Sequence, residues 1–249
     1  MATKTDSGFT IIEAMLFLGV AGALTVAILA GSGLAINQQR YRDSVNSLKS
    51  LLQEQYSETT NVVNDRAGNE GCANAIVASP PDFVATPQAR GTSECTVMGR
   101  FITIDDSGKV VKTSSVVGYH TPGASEAASD IAEIKTNYKL GLATLSQEEV
   151  DIAWGAQVVK PQTAATPMPI SMLILRSPLS GSVMTYTTEG VTTNLMSMVD
   201  GANASKTVNL CLNAPTTAIA GGRMAVQIAP YATNQGSIQV PVGQMKVCD

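Results

Sequence analysis

The chain has 249 residues, 44% of them apolar and 14% charged, with a formal net charge of −4. That apolar content excludes a disordered chain, and the acidic balance excludes a broad basic surface, so nucleic-acid binding is not expected from charge. A single histidine, His120, and a single tryptophan, Trp154, exclude a multi-histidine metal centre and an aromatic stacking platform.

The length suits one sizeable domain plus an appendage, and the N-terminus supplies the appendage. Residues 14–36 carry no charged side chain. A helix of that length rises roughly 35 Å, enough for a bilayer's hydrocarbon core. Core helices of soluble proteins seldom run so far without a polar face, so the segment is expected to reside in a membrane. A cleaved secretory signal, a plain signal anchor and a prepilin segment all fit that length. Gly33-Leu34-Ala35 offers a small-x-small cleavage site, but Glu13 stands inside the apolar run, where an ordinary signal has no carboxylate. Asp6 offsets Lys4, and Arg40 and Arg42 follow the run, so charge alone does not set the orientation.

The string Gly8-Phe9-Thr10-Ile11-Ile12-Glu13 resembles the processing site of type IV prepilins: a short polar leader ending in glycine, then Phe-Thr-x-x-Glu opening an apolar helix. The resemblance covers about the first quarter of the chain. It implies that a prepilin peptidase cuts between Gly8 and Phe9 and methylates the new amino terminus. Glu13 then becomes the fifth residue of the mature chain. A carboxylate in a membrane helix costs about 2.5–3.5 kcal/mol near the bilayer centre and usually has a partner. The amine of Phe9 on a staggered neighbouring subunit is the partner the resemblance implies.

Beyond the apolar run, Tyr41, Val45, Leu48, Leu52 and Tyr56 recur at spacings of three and four among polar residues. This predicts an amphipathic continuation of the helix that docks on a head. Asn64-Asp65-Arg66-Ala67-Gly68 reads as the stop. No proline bends the helix, while Gly31-Ser32-Gly33 is a place for local loosening. The division is a leader at 1–8, a membrane or filament-core helix at 9–36, an amphipathic continuation at 37–67 and a head at 68–249. Strands are expected at 97–104 and 109–119 around the turn Asp105-Asp106-Ser107-Gly108. Helices are expected at 125–135 and at 146–157, the second opened by the capping-box pattern Ser146-x-x-Glu149 with Trp154 packed in the core. Further strands are expected at 169–176, 183–186, 224–228 and 238–247, with Pro230 and Pro241 favouring edges or bulges. The fold class is therefore α+β: a long N-terminal helical spine packed on a β-rich head, which is pilin-like by the resemblance.

Four cysteines, Cys72, Cys95, Cys211 and Cys248, all follow the apolar segment. They allow three connectivities, of which the simplest is local, Cys72 with Cys95 and Cys211 with Cys248. Each such closure is worth roughly 3–4 kcal/mol by loop entropy. A C-terminal disulfide loop also resembles the arrangement in many pilins.

Catalytic constellations are not expected. His120 has no nucleophile elbow to serve, and Asp105 and Asp106 read as turn formers before cation ligands. Gly221-Gly222 lacks the continuation of a phosphate loop, and Asn203-Ala204-Ser205 is too short a sequon to weigh. No active site, cofactor or metal site is therefore expected. The resemblance implies a structural subunit, of minor or specialised type given the large head, stored in the inner membrane and assembled into an extracellular filament. Its partners would be the prepilin peptidase, other pilin subunits, the assembly machinery and the membrane. A pseudopilin of a secretion or DNA-uptake system, and an exported binding protein or enzyme on an uncleaved anchor, are the alternatives.

Overall fold

The computed structural model describes residues 10–62, 71–78, 93–163, 166–214, 222–241 and 247–248, apart from the side chains of 34 and 144–146. The leader with Gly8 and Phe9, the stop at 64–68 and residues 242–246 of the expected last strand lie outside the described residues. In chain order the elements are α1 (Ile11–Asn61), β1 (Gly71–Ala73), β2 (Ile76–Ala78), β3 (Cys95–Ile104), β4 (Val110–His120), α2 (Asp130–Asn137) and β5 (Tyr138–Asp151). A 3-10 turn at Ala153–Gly155 leads to β6 (Gln157–Val159), β7 (Ile170–Arg176), β8 (Val183–Glu189), α3 (Leu195–Met198) and α4 (Gly201–Ala204). Then come β9 (Val208–Asn213), β10 (Ala225–Ile228), a second 3-10 turn at Gln235–Ser237, and β11 (Ile238–Gln239). This is an α+β fold, and it divides into two compact units, Met1–Arg40 and Tyr41–Asp249.

In the second unit, antiparallel pairing builds a five-stranded sheet in the order β5-β4-β3-β7-β8, a four-stranded sheet β11-β10-β9-β6, and the small pair β1-β2. The expected hairpin at Asp105–Gly108 joins β3 to β4. Strand periodicity decides how β7, ISMLILR, is used. Met172 and Ile174 face one core with Ile102 and Ile104, while Leu173 and Leu175 face the other with Phe101 and Tyr186. A strand covered on both faces reads as a near-continuous apolar run for this reason. The first core lies between the two sheets and holds the stripe Tyr41, Val45, Leu48, Leu52 and Tyr56, each 5% exposed or less. The second is closed by Ile134 of α2 and by Leu195 and Met198 of α3.

Two expected helices come out differently. The segment 146–157 is not a helix: 138–151 is the edge strand β5, paired with β4. Hydrogen bonding to Val111 and Thr113 overrides the local capping pattern, and residues 144–147 stand opposite Ser114 alone, so Ser146 falls in a bulge. Trp154 is accordingly not in the core but 55% exposed on the 3-10 turn. The helix expected at 125–135 begins later, at Asp130, where Ser129 caps it by accepting from the Ala132 N–H. The stretch before it is held as a loop, because Asn137 Nδ2 donates to Ser125 O and the Ala127 N–H donates to Glu133 Oε2, both at 2.7 Å. β9, which the turn-and-run pattern does not mark, lies inside the second sheet between β6 and β10.

Disulfides join Cys72 to Cys95 and Cys211 to Cys248, with Cα separations of 5.9 and 5.7 Å. The first ties β1 to the start of β3, and the second ties β9 to the C-terminus. Gly141 lets the β1-β2 turn lie against β5, since a Cβ there would overlap the Ala75 carbonyl.

Candidate functional site

The first unit is dominated by the N-terminal part of α1. Thr10 caps it: the Thr10 N–H and Oγ1–H donate to Glu13 Oε2 at 3.0 and 3.1 Å, and the Glu13 N–H donates back to Thr10 Oγ1 at 3.3 Å. This is a reciprocal capping box, so Glu13 satisfies donors that a helix start leaves orphaned. Beyond it, Ile11, Ile12, Met15, Leu16, Phe17 and Leu18 are all at least two-thirds exposed. Burying six such side chains is worth on the order of 10 kcal/mol, more than a soluble monomer leaves in one contiguous patch.

Its polar side chains are disarmed locally. Thr25 Oγ1 donates to Ala21 O and Ser32 Oγ to Ile28 O, each at 2.8 Å. A hydroxyl bonded to its own preceding turn needs no water, as an apolar surrounding requires. The helix assignment runs unbroken through Gly31-Ser32-Gly33. Among the described residues, α1 is the one helix long and apolar enough to cross a membrane.

The second unit grips residues 41–61 of the same helix through polar clips. Tyr41 Oη donates to Leu212 O at 2.8 Å and accepts from the Met224 N–H at 2.6 Å, bridging β9 to the start of β10. Tyr56 Oη and Thr185 Oγ1 lie 2.8 Å apart, linking helix to β8. Arg100, 3% exposed on the helix-facing side of β3, donates through Nε to Gln55 Oε1 at 2.9 Å and pairs with Glu58 Oε2 at 2.9 Å. Its Nη1 donates to Ser115 Oγ at 2.7 Å. An arginine inside the apolar run of β3 is the sequence signal that could have marked this buried acceptor set.

Burial, partly offset by the Thr185 hydrogen bond, pushes the Tyr56 hydroxyl up from 10.0 to about 12. The folded state therefore holds this proton more tightly than the unfolded chain. The associated stability is intact below about pH 10 and is lost as pH rises toward 12. By linkage this amounts to about 2–3 kcal/mol. Urea unfolding of the detergent-solubilised chain is expected to show this loss, and Tyr56→Phe should abolish that part of it at the cost of roughly 1 kcal/mol at neutral pH.

The remaining candidates serve structure. Burial alone would raise the Asp105 carboxyl, but donations from the Ser107 hydroxyl and from the Val110 and Lys109 N–H groups outweigh it and hold the group below the usual range. Asp105 is thus consumed by its own turn. His120 ends β4 with its ring edge-on to Tyr138 at 5.0 Å. Asn203 Nδ2 donates to Met198 O at 3.0 Å, which engages the sequon amide within α4. Among the described residues, no cluster of three or more His, Cys, Asp or Glu side chains is placed to hold a metal ion. No family model matches this chain, and neither the curated proteins nor the solved structures give a match.

Proposed function

We propose that the chain is a type IV pilin-like structural subunit of the minor or specialised kind. A prepilin peptidase cuts it after Gly8, and it assembles through its N-terminal helix into an extracellular filament. The observation that carries this reading is one helix, exposed and charge-free over 14–36, that follows Gly8-Phe9 and opens on Thr10 and Glu13. The same surface serves two settings in turn. Lipid covers it while the subunit waits in the inner membrane, and the apolar helices of neighbours cover it in the filament core. The apolar area stays out of water in both settings, so moving from one to the other does not require exposing it. Disulfides suit a head held in an oxidising compartment outside the cytoplasm.

A glycine beside the scissile bond leaves room for the peptidase, so Gly8→Phe is expected to block cutting. Co-expression with a prepilin peptidase should shorten the native chain by the 1–8 leader on a gel and leave the variant at full length. A native chain untouched by the peptidase would favour the exported, uncleaved anchor instead.

A further inference from the structure

β8 is the outer strand of the five-stranded sheet, and among the described residues no strand pairs with its far side. At the two ends of the β7-β8 ladder the Gly190 N–H donates to Pro169 O and the Ser177 N–H donates to Ser182 O, each at 2.8 Å. Antiparallel alternation therefore turns the backbone groups of residues 184, 186 and 188 toward β7, and those of Val183, Thr185, Thr187 and Glu189 outward. An open edge is a template for another extended chain unless it is charged or covered, and in β8 the last residue alone carries charge. Asn203 O of α4 accepts from Thr187 Oγ1 at 3.3 Å, a contact that uses the side chain and not the backbone of this stretch.

The same end of β8 borders a cavity of about 380 Å³ within the second unit, bounded also by residues 206–209 on the way into β9. Its apolar lining is Met168, Ile170 and Val208, where the first core comes to the surface. Exposed Lys206 lines it as well. The nearby carboxylates are taken: Lys160 pairs with Glu189 at 2.5 Å and Lys135 with Asp200 at 3.2 Å. Lys206 Nζ approaches Asn203 Oδ1 at 3.4 Å and, among the described residues, has no carboxylate at ion-pair distance.

We propose that this edge and cavity bind an extended peptide by its C-terminus. The peptide backbone lies along β8 and pairs with Thr187 and Glu189, an apolar last side chain enters the cavity, and Lys206 receives the terminal carboxylate. In strand addition, main-chain hydrogen bonds supply affinity and a side-chain pocket supplies specificity. The two ion pairs each cancel, so the charge left at the cavity is that of Lys206 and its complement is an anion. A fatty acid would satisfy the lysine and the apolar lining but offers nothing to the strand edge, and a sugar offers no apolar anchor. None of this involves the first unit, so the site and the filament reading stand or fall separately.

The test titrates dye-labelled pentapeptides of mixed sequence, ending in leucine, valine or isoleucine, into the full detergent-solubilised chain, with empty micelles as the blank. Fluorescence polarisation is expected to show the free acids binding at millimolar concentration or below. Their C-terminal amides should bind about tenfold more weakly, and so should the free acids to Lys206→Glu, because each change removes one charge-assisted contact. Peptides methylated on their last backbone nitrogens, or ending in aspartate, should lose a similar factor through the strand edge and the cavity respectively. Lys206 is exposed, so the variant is expected to fold, and circular dichroism checks that it does. Acids and amides bound alike, or binding unchanged by Lys206→Glu, would overturn the proposal. Polarisation no higher than in empty micelles would overturn it too.

Discussion

Glu13→Ala is expected to leave membrane insertion intact and to lower filament incorporation by a factor of tens or more. Insertion should not suffer, because an ionisable group leaves an apolar helix. Assembly should, because truncating one partner of a desolvated charge pair costs about 2–5 kcal/mol, and the neighbour's Phe9 amine would lose its carboxylate. The capping box adds a competing explanation: Glu13 also receives the Thr10 N–H and hydroxyl. Loss of a cap is worth only about 1 kcal/mol. Glu13→Gln separates the two, since glutamine can serve at this capping position but carries no charge. Gln is expected to fail in assembly nearly as badly as Ala. Membrane and sheared-filament fractions of the three chains provide the comparison. Incorporation restored by Gln would reduce Glu13 to a cap.

Arg100→Met is expected to destabilise the head by about 3–5 kcal/mol, a large share of the 5–15 kcal/mol typical of a folded domain. The substitution removes the cation from a buried site and leaves Gln55, Glu58 and Ser115 without its donors. Glu58 is 26% exposed on its side chain and retains some solvent, which places the loss toward the lower end. Adding Glu58→Gln should return part of it, because the residual buried charge is then gone. Chemical denaturation followed by circular dichroism reads both changes as midpoint shifts. A single-variant midpoint within experimental error of the native chain would show that the Arg100 cluster contributes nothing measurable to holding the helix.

The elements that local periodicity controls were legible in the sequence. The stripe Tyr41 to Tyr56 is buried because a helix returns every third or fourth residue to one side, and the head needed that side. The hairpin at Asp105–Gly108 was legible because its turn residues make their own hydrogen bonds. What was not legible depends on partners distant in the chain. Ser146-x-x-Glu149 is a sound helix start in isolation, yet β4 offers an unpaired edge and draws the segment into β5. Trp154 was displaced with it, from an expected helix core to a strained, exposed turn. In β9 the alternation of Val208, Leu210 and Leu212 toward the core was present to be read, but the strand is short and its neighbours in the sheet come from both directions along the chain. At the candidate site, Thr10-x-x-Glu13 carried two messages at once, a processing motif by resemblance and a capping box by chemistry.

The most direct measurement is the mass of the N-terminal peptide of this chain in material sheared from the cell surface. The expected peptide begins at Phe9, with its amine carrying a methyl group. A chain beginning at Met1 or at Ile36 in that material would contradict it.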